Sequence, residues 1–243
     1  MASDIALLGA HPTESQLAKI QERANILRRK IDSWQGIQLL YMPFVCRLRA
    51  DEESRYPSSD VEPVEAIRLW LPSAVQFTVM SHVQCPAQLC LFEWNLQYAQ
   101  ANNALKEIRN LLRLRSHLYK FKDHNLVGQA ANTRARGTIN KADSKIYMAA
   151  SHYEAARAAL VNLAPTLNED PSWMDTFKHL NRSRDLKALK DVWEKETEGT
   201  RVLSWIWKTP GLSEDVSIGL HDGEVLSPLL MIWLNVHHDQ RSA

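Results

Sequence analysis

Apolar residues recur at alternating steps of three and four along three long stretches of this chain. In the first stretch, residues 17–48, nine of the ten positions in this row are apolar, and Gln38 is the exception. Such spacing is the seam of a heptad repeat, with which one helix packs on a neighbour. We therefore expect a helix over residues 14–55, capped by Thr13. It should be kinked near Pro43, because proline lacks a backbone N–H and crowds the preceding turn.

Two more heptad seams predict helices over residues 87–122 and 130–163. Pro86 should lie at the start of the first, and Pro165 should end the second. Large and small apolar residues alternate along the second seam, which lets two helices approach closely. Because the connection between these helices is short, we expect them to pack antiparallel as a hairpin.

The rest of the chain carries shorter patterns. Four prolines and several turn-forming residues predict an irregular connector between the first and second long helices. Beyond Pro165 the apolar stretches are brief, and they predict short helices followed by an irregular tail. The candidate short elements are residues 66–71, 75–79 (helix or strand), 170–180 with Asp170 as the cap, 186–198, the aromatic segment 203–207, and 225–236 of undetermined type.

These patterns together predict an all-α protein. Its long antiparallel heptad-patterned helices would form a coiled coil or helical bundle, with shorter C-terminal helices. Only 8 of 243 residues are glycine, about 3% against a usual ~7%, which also favours helices over turns. The predicted segments are an N-terminal long helix (1–56), a proline-rich connector (57–86), a helical hairpin with a basic tip (87–165), and short helices with an irregular tail (166–243).

The cysteine count and the apolar stretches indicate a protein of a reducing compartment. Cys46, Cys85 and Cys90 are an odd number without disulfide or zinc spacing, so we interpret them as buried thiols. No secretory leader pattern is evident at the N-terminus. The longest apolar stretch, residues 226–236, is far short of the ~20 residues of a membrane span. We expect a nuclear or cytoplasmic location and no membrane partner.

Recognisable catalytic motifs are missing from the sequence. It has no glycine-rich phosphate loop, no nucleophile elbow and no helical zinc-protease motif. Glu107, Asp123 and Asp143 lie within or beside basic stretches, where pairing with arginine is a better explanation than metal binding. We therefore expect no enzyme activity, no cofactor, no metal and no small-molecule substrate.

Charge is concentrated in residues 105–145, which hold ten basic residues against three acidic ones. The whole chain has a net charge of only +1, so this excess of seven positive charges is local. A basic hairpin tip could neutralise phosphates, so DNA is a candidate partner. The candidate nucleic-acid-binding residues are Arg113, Arg115, Lys120, Lys122, Arg134, Arg136 and Lys141.

Two features complicate this interpretation. Arg115 occupies a seam position where an apolar residue is expected, so burial against a carboxylate would remove it from the basic surface. Trp205 and Trp207 could stack on bases, but packing of the short C-terminal elements onto the bundle is the favoured explanation. The alternative function is a helical scaffold or protein–protein interaction module, whose seams close internally or in a homo-oligomer.

The basic stretch also resembles a known family. Residues 112–123 (LRLRSHLYKFKD), with Gly128-Gln129 and residues 131–136 (ANTRAR), are similar to the region downstream of the catalytic core in fungal Kyakuja-Dileera-Zisupton (KDZ) transposases. The similarity extends in order from about residue 14 to 210 and is not seen beyond about residue 212. Further similar segments are residues 40–43 (LYMP), 69–73 (LWLPS), 98–101 (YAQA) and 203–207 (LSWIW).

This resemblance implies a non-catalytic piece of a transposase. In KDZ transposases, strand transfer belongs to an upstream RNase H-like domain with an acidic metal-binding triad, and no position here corresponds to it. The family's cysteine cluster is missing as well. The resemblance implies a transposase-derived helical protein of a mushroom-forming fungus, with a nuclear location and possible retained contacts to nucleic acid.

Overall fold

A computed structural model describes residues 12–55, 63–64, 66–75, 85–187 and 204–209. Every regular element in these ranges is helical and none is a strand, which confirms the all-α prediction. The helices are α1 (Glu14–Tyr41), α2 (Val45–Arg55), α3 (Pro72–Val75), α4 (Ala87–Asn125), α5 (Gln129–Leu167), α6 (Trp173–Thr176), α7 (Arg182–Asp185) and α8 (Trp205–Lys208).

The described residues fall into two compact units, one ending at Leu71 and the other beginning at Pro72. In the first unit, Thr13 caps α1 as predicted and forms a capping box with Gln16. The helix ends at Tyr41 and α2 begins at Val45, so the chain is interrupted at the predicted proline. Proline cannot supply the backbone N–H that would continue the α1 ladder.

Gln38, the one polar member of the first seam, is buried and fully used. Its amide nitrogen donates to the carbonyl oxygens of Leu69 (3.1 Å) and Trp70 (2.8 Å), and its amide oxygen accepts from Arg49. These bonds hold a segment without regular secondary structure, in which Trp70 has a left-handed φ of 49°. Residues 67–71 are therefore not the short helix predicted for 66–71, because a side chain of α1 satisfies backbone groups there.

The second unit is built on the predicted antiparallel hairpin of α4 and α5. Both helices are longer than predicted and are joined by residues 126–128 alone. Gly128 has φ 94° and ψ 155°, a conformation that is essentially restricted to glycine. The alternating large and small seam of α5 is buried as predicted, at Ile139, Ala142, Ile146, Ala149, Tyr153, Ala156, Leu160 and Leu163.

One of the two prolines behaves differently from the prediction. Pro86 lies at the start of α4 as predicted, where it is the N-cap, one position before the first turn. Pro165 does not end α5, which continues to Leu167 and is capped by Asn168 in the left-handed conformation. A proline in the last turn disturbs few hydrogen bonds, and the Asn168 N–H satisfies the Ala164 carbonyl.

The short C-terminal elements pack on the hairpin through aromatic side chains. Trp173 meets Trp94 edge-on at 5.4 Å between ring centroids, and Phe177 meets Tyr98 at 4.8 Å. The prediction of one helix over residues 170–180 was wrong, since only the turn α6 is helical there and Ser172 is its N-cap. Aromatic packing replaces helix continuation in this segment.

The helix predicted over residues 186–198 does not begin at Leu186, which follows the single turn α7. Residues 188–198 lie outside the described ranges, as do 76–79 and 225–236. The aromatic segment predicted at 203–207 overlaps the turn α8, and residue 203 lies outside the described ranges. Cys85 and Cys90 are buried as predicted, but Cys46 is exposed, so that part of the cysteine prediction was wrong.

A buried carboxyl group fastens α3 to the hairpin. Glu93 of α4 accepts hydrogen bonds from the backbone N–H of Ser73 (2.8 Å) and from its hydroxyl. Asn162 of α5 donates to the Ser73 carbonyl at 3.3 Å. Burial raises the pKa of Glu93, although hydrogen bonds from Ser73 and Gln97 oppose that rise. This network lies at the opposite end of the hairpin from the basic tip.

Candidate nucleic-acid interface

The inner seam of α4 accounts for two of the predicted basic residues. Arg115 and Lys122 continue, at seven-residue steps, the row in which Ala101 and Ile108 are buried against α5. Arg115 donates to Asp143 of α5 at 3.2 Å and to the carbonyl oxygen of Leu186 at 2.9 Å. The Arg115 side chain is only 18% exposed. The structure thus places it in the ion pair that the sequence suggested, away from the basic surface.

Two sides of the hairpin can be distinguished by what packs on them. Residues 173–187 and 204–209 cover one side, which we call the strap side. There Arg157 of α5 donates to the Phe177 carbonyl at 2.9 Å. Arg109 of α4 donates to the carbonyls of Ile206 and Thr209, each at 2.7 Å. We call residues 204–209 the strap and the opposite face of the hairpin the far side.

Tryptophans of the strap are structural, as the sequence favoured. The Trp205 indole N–H donates to the buried carboxylate of Asp185 at 3.1 Å, and the Trp207 N–H donates to the Lys187 carbonyl at 3.1 Å. The Arg113 guanidinium lies over the Trp207 ring, 5.5 Å from its centroid. Arg109 was not among the predicted site residues. The residues around Arg109 in the sequence do not distinguish an arginine that binds the strap from an arginine exposed to solvent.

A polar stripe runs along α4 on the outer edge of the strap side. Its members recur at alternating steps of four and three, so they share one helix face. Five of the six are exposed, Lys120 is half-buried, and none is acidic. The stripe consists of Lys106, Asn110, Arg113, His117, Lys120 and His124.

The predicted residues of α5 do not share one face. Arg136 lies seven residues before Asp143, in the row that continues to Arg157, which donates to the Phe177 carbonyl on the strap side. Residues at steps of seven share one helix face, so Arg136 belongs to the strap side. Arg134 and Lys141 each lie two residues from this row, and two residues correspond to about 200° around a helix. They therefore lie on the far side, both exposed. Residues before and after the connection do not converge on a single surface as the sequence suggested.

The exposed surface near the tip is nonetheless strongly basic. Within residues 105–145 the exposed acidic residues are Glu107 and Asp123, because Asp143 is partly buried against Arg115. Burial lowers the pKa of Arg109, and the charge of Arg113 lowers it further. The exposed basic residues of this stretch are Lys106, Arg113, Arg134, Arg136, Lys141 and Lys145.

The described residues offer no metal site beside this basic surface. In these ranges, no group of three or more histidine, cysteine, aspartate or glutamate residues is arranged to hold a metal ion. No described helix is both long and apolar enough to cross a membrane.

Glu154 pairs with Arg182, whose hydrogen bonds hold the pKa of the Glu154 carboxyl below its ordinary value.

Comparisons with protein families, with curated proteins and with solved structures each gave no match. The residues and their arrangement are therefore the basis on which a function can be proposed.

Proposed function

We propose that the α4–α5 hairpin binds nucleic acid through the phosphate backbone, with the polar stripe as the principal contact. The observation that carries this proposal is the stripe itself, which places Lys106, Arg113 and Lys120 on one helix face without an acidic residue. From Lys106 to His124 the stripe extends about 27 Å along α4 at 1.5 Å per residue. Duplex DNA presents one charge per ~1.7 Å, so several phosphates lie within that length.

The contacts should not depend on the base sequence of the nucleic acid. The stripe offers lysine, arginine, histidine and asparagine side chains along the outside of a long helix, and such groups suit phosphate oxygens. Arg136 on the strap side is placed to extend the contact across the hairpin. Arg115, bound to Asp143, and Arg109, bound to the strap, have no part in it.

We further propose that the chain is a non-catalytic protein derived from a KDZ-type transposase. Support comes from the similar segments along residues 14–210, and a nuclear location follows from the same resemblance. Two-metal phosphoryl transfer requires convergent carboxylates, and the described residues present none. With magnesium or manganese the purified chain should neither cleave nor join DNA. Metal-dependent nicking abolished by changing a single acidic residue would contradict this.

A titration of labelled duplex DNA at several salt concentrations tests the proposal. The variant Lys106→Gln/Arg113→Gln/Lys120→Gln should bind more weakly. Its plot of log affinity against log salt should be shallower by about 0.9 for each phosphate that the variant no longer neutralises. Its melting temperature should fall only slightly, because Lys106 and Arg113 are exposed, Lys120 is half-buried, and surface charges contribute little to stability.

The far side supplies a matched control. The variant Arg134→Gln/Lys141→Gln/Lys145→Gln removes the same charge from the opposite face of the same hairpin. If its affinity falls as much as that of the stripe variant, overall charge and not the stripe determines binding. If the parent chain does not bind DNA at low salt, the proposal fails and the interaction-module alternative replaces it.

A further inference from the structure

An apolar stripe lies on the far side of α4. Its members recur at steps of three, four and three, which places them on one helix face. Leu114 is 47% exposed and Phe121 is 57% exposed, while the other two are half-buried. The stripe consists of Leu111, Leu114, Leu118 and Phe121. None of the contacts described for the strap side reaches it.

Positions along the helices show why this stripe is separate from the polar one. Leu111 lies two residues from both Arg109 and Arg113, about 200° around α4 from the side chains that hold the strap. The stripe therefore faces away from the strap, on the same side of the hairpin as Arg134 and Lys141. From Leu111 to Phe121 the far side is apolar on α4, with the exposed Glu107 one turn before Leu111 in the same row, and it is basic on α5.

The Arg115–Asp143 contact shows which levels of the two helices lie opposite each other. In an antiparallel hairpin, each step forward along α4 matches a step backward along α5. Counting from Arg115 and Asp143 in this way places Leu118 level with Lys141 and Leu114 level with Lys145. Each match holds to within one residue position. Leu111 is level with Met148, which is 36% exposed. The far side is thus a row of apolar side chains with a basic rim along α5, formed by Arg134, Lys141 and Lys145.

We propose that the far side docks an amphipathic helix of a partner protein that carries acidic residues along one edge of its apolar face. An apolar row at steps of three and four accepts the matching row of a second helix. The basic rim lies beside this row, where it would meet the flanking residues of the docked helix. Charge complementarity at that rim selects an acidic partner and its orientation.

Other occupants fit less well. A second copy of the same far side would bring a second basic rim, and the α5 rows containing Lys141 and Lys145 hold no acidic residue from 134 to 152. Single-stranded nucleic acid would use the rim, but it also needs aromatic side chains for base stacking. Phe121 is the one aromatic residue of the apolar stripe. The proposal does not depend on nucleic-acid binding by the polar stripe.

A synthetic amphipathic helix serves as the probe. It is about 20 residues long, with leucine at the seam positions and glutamate at the flanking positions, and it carries a fluorescent label. A second peptide has lysine in place of each glutamate. Fluorescence anisotropy with the full chain should show binding of the glutamate peptide and much weaker binding of the lysine peptide. Equal binding of the two, or no binding of either, would overturn the proposal.

Three variants locate the site. Leu114→Gln/Phe121→Gln alters two exposed side chains, so the fold should survive, and affinity for the glutamate peptide should fall about tenfold. Removal of the three rim charges should weaken binding and reduce its salt dependence. Removal of the Lys106, Arg113 and Lys120 charges should leave it unchanged, and excess duplex DNA should not displace the peptide.

Two results would assign the site differently. If the glutamate peptide is bound through the polar stripe, the variant Lys106→Gln/Arg113→Gln/Lys120→Gln will not bind it and the variant Leu114→Gln/Phe121→Gln will. If sedimentation equilibrium shows a dimer of the parent chain that Leu114→Gln/Phe121→Gln dissociates, a second copy is the occupant. Either outcome refutes docking of an acidic helix while leaving the DNA-binding titration to be judged independently.

Discussion

Arg115 of α4 donates to Asp143 of α5 at 3.2 Å across the hairpin seam. The same guanidinium also donates to the Leu186 carbonyl, so one side chain connects both long helices with the segment packed on them. An arginine in a heptad seam thus acts as a structural link. It also marks the level at which the two helices face each other, from which the side chains that lie opposite one another on the far side can be counted.

Removing either member of this pair should destabilise the second unit. Arg115→Met leaves Asp143 and the Leu186 carbonyl without their donor, so the free energy of unfolding should fall by about 1–2 kcal/mol. Asp143→Asn should lower it by a smaller amount. Chemical denaturation of both single variants and the double variant gives the coupling, expected at about 0.5–1 kcal/mol for a partly exposed pair. Strict additivity would show that the contact contributes nothing.

Two glycines of the hairpin should respond to alanine with opposite signs. Gly128 has φ 94°, so Gly128→Ala should lower the free energy of unfolding by about 1–3 kcal/mol through backbone strain alone. Gly137 lies within α5, and Gly137→Ala should raise it by about 0.5–1 kcal/mol through helix propensity. A Cβ at either position meets nothing within 4 Å. Side-chain packing therefore contributes little to the difference between the two alanine variants. Thermal and urea unfolding measure both, and the same sign for both would contradict the backbone argument.

Glu93 should make stability depend on pH in a recognisable direction. Burial raises the pKa of Glu93 in the folded chain, so the folded state binds this proton more tightly than the unfolded state. The associated stabilisation is fully present below the unfolded pKa of about 4.3 and is lost as pH rises through the folded pKa.

The variant Glu93→Gln isolates this effect. Subtracting its free energy of unfolding from that of the parent at each pH removes contributions from other groups, including the oppositely shifted Glu154. The parent-minus-variant difference should decrease as pH rises above about 4.3 and then become constant. A difference that increases over this range would mean that the hydrogen bonds from Ser73 outweigh burial.

Arg109 should control the attachment of the strap. Arg109→Gln removes a charged group that donates to the Ile206 and Thr209 carbonyls, and hydrogen bonds of this kind contribute about 1.5–3 kcal/mol. Amide exchange of residues 204–209 should therefore become faster, most clearly at Thr209, whose N–H is bonded to the Trp205 carbonyl. Lys106→Gln, which changes an exposed charge one turn earlier, is the control. Equal exchange in all three proteins would show that aromatic packing alone holds the strap.

The sequence by itself determined the long elements of this protein. Heptad seams require a helix with a buried face, so they predicted α1, α4 and α5 and the residues that α5 buries. The Thr13 cap and the interruption at Pro43 followed equally well, because capping and the missing proline N–H act within a few residues. The short connection then left the antiparallel hairpin as the natural arrangement of α4 and α5.

Only the tertiary structure decided how side chains outside the seams are used. Arg109, Arg113 and Arg115 lie within seven residues, yet one holds the strap, one lies over Trp207 and one pairs with Asp143. Each role depends on atoms 28 to 100 positions away in the chain, which local spacing does not encode. The separation of Arg134 from Arg136 has a local cause instead, because two residues correspond to about 200° around a helix. Helix rotation assigns adjacent charges to opposite sides of the hairpin, and packing decides which of those sides is covered.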